Sequence, residues 1–132
     1  MIGGIGLDLC AVARMEELKE NDRFMARYFT EEERAYVRSR GAGAGQTLAG
    51  LFAAKEALGK ALGTGIAFDL REAEIGHGEN GRPEYRLRGK LAEAAGQDRF
   101  HLSISHDGGV AGAVCIRDTD DILPKVEKPS IL

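Results

Sequence analysis

The stretch 52–65, FAAKEALGKALGTG, constrains the chain most, because it reads as a helix with two unlike faces and a built-in stop. On a helix, Leu48, Leu51, Ala54, Leu58, Ala61 and Leu62 fall on one side, the spacing of a core-facing stripe. Glu56 and Lys60 are four residues apart and so are neighbours roughly opposite that stripe. Gly63 and Gly65, around Thr64, supply the permissive backbone that ends a helix and lets a ligand approach closely. Two readings fit. One is a packed helix with a surface ion pair worth about 0.3 kcal/mol; the other is a helix that carries a chemical site on its outer face. Lys55 lies at the edge of the stripe, which puts its stem in the packing and its amine at the rim.

Around this helix the pattern alternates between strands and short helices. Residues 2–9 read as a strand whose glycines allow a close approach or mark a bulge, with Asp8 near its end. Val12, Met15 and Leu18 are spaced for a short helix over 12–19. Asp22 is the expected N-cap of a second helix through Tyr28, and Thr30 with Glu33 forms a capping box for a third. GAGAG at 41–45 reads as a flexible break, with the long helix following over 46–62. It is not a phosphate loop, because the P-loop spacing is missing and no strand precedes it. Residues 72–76 and 84–87 suit a hairpin around the turn cluster 79–83, and 89–96 a short helix. FHLSIS at 100–105 alternates like a half-buried strand, and 110–116 fits a buried one, with 106–109 as the tight connection. The expectation is an α+β fold: one domain with a mostly antiparallel sheet packed against a long central helix and shorter N-terminal helices. The domain covers 1–117, and a charged C-terminal tail with Pro124 and Pro129 covers 118–132.

Length and composition narrow the function classes. A chain of 132 residues is most simply one domain. A formal net charge of −3 argues against general nucleic-acid binding, which draws on a basic excess. No apolar run approaches the roughly 20 residues that span a bilayer, and the N-terminus does not read as a secretory signal. Cys10 and Cys115 are too few for a disulfide scaffold or a metal set, and two buried thiols in a reducing cytoplasm are expected. Arg14, Arg23, Arg27, Arg34 and Arg38 form either a solvated helix surface or a local basic patch. A patch of that kind in an acidic protein suits an acidic protein partner better than nucleic acid.

Asp8 is either a turn acceptor or a cation ligand. His106, following a strand in SISH, has a stronger case for function than His77, in an expected loop, or His101, which points outward from its strand. Two separated carboxylates can hold magnesium, which prefers oxygen ligands and keeps several waters and a substrate phosphate oxygen. A lysine beside it would offset phosphate charge.

Four segments in order, GIGLDLCAVAR, FMARYFTEEE, FAAKEALGKALGTG and LSISHDGGVAGAVCI, resemble the holo-acyl-carrier-protein synthases, the small bacterial type of 4′-phosphopantetheinyl transferase. The resemblance covers nearly all of residues 2–116. It implies transfer of 4′-phosphopantetheine from coenzyme A to a serine of an apo acyl carrier protein, with magnesium as cofactor and adenosine 3′,5′-bisphosphate released. By position, Asp8 and Glu56 match the magnesium ligands, and Lys60 the lysine on the coenzyme A phosphates, with Gly63, Thr64 and Gly65 along the same ligand. His106 matches a histidine near the adenosine 3′-phosphate, and Arg14, Arg23 and Arg27 a carrier-docking surface. Glu56 and Lys60 are the catalytic pair it implies. A homotrimer with active sites between neighbours, in the cytoplasm, completes what the resemblance implies. Phe52 stands where many members carry tryptophan, a change of packing rather than chemistry. Two non-catalytic readings stand beside it: a coenzyme A or nucleotide binder without turnover, and a trimeric module that docks carriers through its arginines.

Overall fold

The structure, a computed structural model, describes residues 1–119. Strand β1 (Ile2–Ala11) leads into three short helices, α1 (Val12–Leu18), α2 (Asp22–Tyr28) and α3 (Glu31–Ser39). The long helix α4 (Ala44–Leu62) follows, then β2 (Ala73–His77), β3 (Pro83–Leu87), α5 (Gly89–Ala95), β4 (Arg99–Asp107) and β5 (Val110–Asp118). The fold is α+β and every strand pairing is antiparallel. The strands divide between two sheets, β1-β5-β4 and β2-β3, with α4 packed against both.

Helix α4 departs from the expected one-sided stripe. Leu48, Leu51, Ala54, Leu58 and Ala61 are buried, but so are Phe52, Ala53, Lys55 and Ala57, and only Gln46 and Lys60 are exposed. The three-stranded sheet covers one side of the helix, while α1, α3 and β2 cover the rest. Small residues make this possible. A Cβ at Gly4 or Gly6 would run into the carbonyl oxygens of Ala61 and Ala57, so the GIG of β1 lets the strand backbone lie directly on the helix. That contact places the inward-facing side chains of β1, Asp8 and Cys10 among them, beneath α4.

The helix ends follow local chemistry. The capping box on α3 is present: Glu33 N–H donates to Thr30 Oγ1 at 3.2 Å, and Thr30 N–H donates to Glu33 Oε1 at 2.9 Å. On α2 the N-cap is Asn21, whose side chain accepts from Phe24 N–H, and not Asp22, which becomes the first helical residue and sets its charge against the helix dipole. The glycine-rich 41–45 segment is not a flexible break. Gly41 turns the chain at φ 56°, a 3-10 turn spans Gly41–Gly43, and α4 starts at Ala44, two residues earlier than expected. At the other end Gly63 caps α4 in the left-handed conformation, φ 81°.

His77 closes strand β2 instead of lying in a loop, and stacks on Tyr36 with ring centroids 4.2 Å apart. His106 belongs to β4, and the connection to β5 is the two-residue turn Gly108-Gly109, both at positive φ. Both cysteines are free and buried, and burial pushes the Cys115 thiol up to about 11. The tail expected over 118–132 lies outside the described residues except for its first two. Of these, Asp118 ends β5 and binds the N-terminal ammonium at 3.1 Å.

Candidate active site

The site lies where α4 crosses β1. Asp8 faces the helix, its side chain only 14% exposed, and accepts from Lys60 Nζ at 3.1 Å through Oδ1. Lys60 also donates to the Leu7 carbonyl at 2.9 Å. The Glu56–Lys60 ion pair, one of the two readings of this helix face, is absent among the described residues. Lys60 reaches across to β1 because Gly4 and Gly6 hold that strand within its reach.

Asp8 Oδ2 is buried and receives no N–H or hydroxyl donor; the Glu56 carboxyl lies within hydrogen-bond reach of the Asp8 carboxyl. A carboxylate oxygen in that state is costly unless a proton shared with the neighbouring carboxyl or a cation completes it. Half-buried Glu56 lies in the same electrostatic neighbourhood. Burial, then the charge of Asp8, pushes its carboxyl above the ordinary glutamate range, and Lys60 and Arg14 pull it back only in part. Two carboxylates that oppose each other's ionisation, one with an oxygen that lacks an N–H or hydroxyl donor, suit a divalent cation. Among the described residues no set of three or more His, Cys, Asp or Glu forms a cage, so a cation here would take further ligands from water or substrate, as magnesium does.

Beyond Lys60 the chain turns through Gly63, Thr64 and Gly65, with both glycines at positive φ and all three residues exposed. Thr64 N–H and Gly65 N–H both donate to Gly59 O, at 3.2 and 3.1 Å. His106 is at the other end of the helix, on the α4 side of β4, with its Nε2 3.1 Å from the Gln46 side-chain nitrogen. The helix rises about 26 Å between Gln46 and Gly63. The chain therefore gathers Asp8, Glu56 and Lys60 beside 63–65 and leaves His106 apart. Gln46 is a neighbour of His106 that the sequence does not single out, since the pairing joins residues 60 positions apart.

Arg14, Arg23 and Arg27 are exposed and make no ion pair among the described residues. They surround an aromatic cluster in which Phe24, Tyr28, Phe29 and Phe52 pack at 5.2–6.5 Å. Arg14 stacks over Phe52 at 5.6 Å and Arg27 over Tyr28 at 5.5 Å. Phe52 thus links the arginine surface to the helix bearing Glu56.

Lys55 is not at the rim. It is fully buried, pairs with Glu33 at 3.0 Å and donates to the carbonyls of Leu70 at 2.7 Å and Ala73 at 2.9 Å. Burial pushes the ammonium down and the carboxyl up, and each charge opposes the other's shift. Three acceptors, the Glu33 carboxylate and the carbonyls of Leu70 and Ala73, match the three donors of a lysine ammonium. The flat helical wheel hides this, because the segment covering Lys55 comes 15 to 18 residues later.

A profile of the 4′-phosphopantetheinyl transferase superfamily matches residues 4–115. The chain belongs to that superfamily. Within it, the relatives of this phosphopantetheinyl transferase are holo-[acyl-carrier-protein] synthases. The Treponema denticola synthase is 41% identical over 120 residues, 88% of this chain and 98% of that protein. The crystal structure of the Neisseria meningitidis synthase superposes with a TM-score of 0.80 at 34% identity, over 90% of this chain and all of that one. The Bacillus anthracis synthase, solved in complex with CoA (3′,5′-ADP), has a TM-score of 0.74 at 35% identity, over 90% of this chain and 99% of that one. The phosphopantetheinyl transferase fold thus extends over all the elements that carry the site.

Proposed function

We propose that this transferase moves 4′-phosphopantetheine from coenzyme A to a serine of an apo acyl carrier protein, with magnesium held by Asp8 and Glu56. The observation that carries the reading is the buried Asp8 Oδ2, without an N–H or hydroxyl donor, beside Glu56, with the Lys60 ammonium on the other oxygen of the same carboxylate. Magnesium bound there supplies Lewis-acid polarisation of the pyrophosphate. The protein's residues account for the other requirements of the reaction. The carrier serine oxygen attacks the β-phosphorus in line; the bond from that phosphorus to the bridging oxygen breaks, and adenosine 3′,5′-bisphosphate leaves. Lys60 offsets the charge that develops on the leaving phosphate. The serine proton passes to a carboxylate or a water at the site, with Glu56 the candidate acceptor. The amides of Thr64 and Gly65 already bind Gly59, so phosphate held at this turn depends on Lys60 for its charge. Arg14, Arg23 and Arg27, with the aromatic cluster between them, receive an acidic carrier close to Glu56.

Two features support a homotrimer with shared sites. The outer face of β1 exposes Ile5, Leu7 and Leu9 by 60%, 61% and 67%, with Val114 and Ile116 beside them across the ladder. An apolar row of this kind on a sheet face calls for a cover. A neighbour seated on it can also bring its own His106 to a ligand lying at Lys60 and 63–65, which this subunit's His106 does not reach. An apo carrier incubated with coenzyme A and magnesium tests the activity. A gain of about 340 Da on the carrier, read by mass spectrometry, is the expected outcome; binding without a gain would leave a non-catalytic binder.

A further inference from the structure

The segment 63–70 leaves α4, carries the exposed glycine turn and returns to the helix without forming a regular element of its own until Leu70. Two polar attachments tie it to α4. At its start, Gly59 O accepts both Thr64 N–H and Gly65 N–H, and Gly59 must lack a side chain because a Cβ would stand 2.5 Å from the Gly65 carbonyl oxygen. At its end, Lys55 Nζ binds the carbonyls of Leu70 and Ala73. Positions 55 and 59 are one helical turn apart, so both polar attachments come from a single edge of α4, while Phe68 and Leu70 pack the loop's second half against the core.

The anchor at Lys55 is itself fixed. Glu33, its ionic partner, accepts from Thr30 N–H at 2.9 Å through Oε1 and from Ile75 N–H at 2.7 Å through Oε2. The carboxylate is therefore set by the start of α3 and by strand β2 before it meets the lysine. A buried ion pair gains little net stability over well-packed apolar side chains of the same volume. What an apolar side chain could not do is grip two carbonyls at the exit of an irregular loop.

We infer that Lys55 and Glu33 are positioning residues for coenzyme A, holding the 63–70 loop in register with Lys60 so that the phosphates meet a preformed site. The inference rests on reading Lys60 and 63–65 as the phosphate contact. Neither residue touches the ligand; they act through the loop's exit at Leu70. Misplacement of a binding loop by about 1 Å is enough to cost two orders of magnitude in rate.

The experiment compares Lys55→Met with Val37→Ala, a core truncation on α3 that destabilises without touching the loop. Both proteins are melted, titrated with coenzyme A by calorimetry, and assayed with coenzyme A and carrier varied separately. In Lys55→Met the Kd and KM for coenzyme A rise by at least about tenfold while the carrier KM stays within about twofold. Val37→Ala lowers the melting temperature and changes neither constant. A folded Lys55→Met that binds coenzyme A like the wild type overturns the inference, as does an equal loss in Val37→Ala. Should Lys55→Met not fold, Lys55→Met/Glu33→Gln, which leaves no unpaired charge, is measured in its place; if it also fails to fold, the pair is a fold determinant and the inference is overturned. Wild-type protein that neither binds coenzyme A nor modifies a carrier would overturn the phosphate site itself, an outcome distinct from all of these.

Discussion

At the scale of single residues, Asp8 and Glu56 are held in a state unfavourable to both. Asp8 keeps one oxygen buried without an N–H or hydroxyl donor, and Glu56 ionises against burial and against its neighbour's charge. Binding sites commonly carry such local costs, since the ligand that relieves them is bound more tightly. Glu56→Gln should therefore leave a folded protein whose transfer rate, followed by carrier mass, falls by at least about 100-fold. A variant transferring at near the wild-type rate would remove Glu56 from the site. The sequence singles out Asp8, Glu56 and Lys60, and of its two readings of the helix face the Glu56–Lys60 ion pair is not the one the described residues form. Four-residue spacing describes one helix in isolation, while Lys60 finds a carboxylate on a strand that lies against that helix.

At the scale of elements, the decisive contact is β1 against α4. Gly4 and Gly6 bring the strand backbone onto the helix backbone, which puts Asp8 within reach of Lys60. A methyl group at Gly6 would meet the Ala57 carbonyl and the Ala61 amide, neither of which can yield without moving the helix. Gly6→Ala should cost about 2 kcal/mol or more in urea unfolding and lower transfer further by pushing Asp8 away from α4. Unchanged stability would show that the strand has room to shift. Most element boundaries were legible, because caps, hairpin turns and period-two alternation are local signals: the capping box, the two hairpins and the αL stop at Gly63 all appear. The start of α4 was not. Glycines read as a break when taken singly, yet here they wind a tight turn that feeds the helix.

At the scale of the whole molecule, the exposed row Ile5, Leu7 and Leu9 and the separation of His106 from 63–65 point to the same arrangement. The sheet face asks for a cover, and the proposed role of His106 at the ligand requires a second copy, because this chain keeps that histidine at the far end of α4. Leu7→Lys places a charge in the centre of that row, on the face opposite the core. It should leave the fold intact, give a monomer in sedimentation equilibrium, and lose transfer by more than about 100-fold. A fully active monomer would show that each subunit works alone. The sequence by itself determined the class of fold and most of its elements, because periodicity and caps act within about a turn or a hairpin, and its resemblance to a known family singled out the residues to suspect. Only the tertiary structure decided that Lys60 turns to Asp8, that Lys55 is sealed against Glu33 and the loop exit, and that His106 stands apart. Those facts depend on how closely separate elements approach, a distance set by small residues packing far apart in the chain.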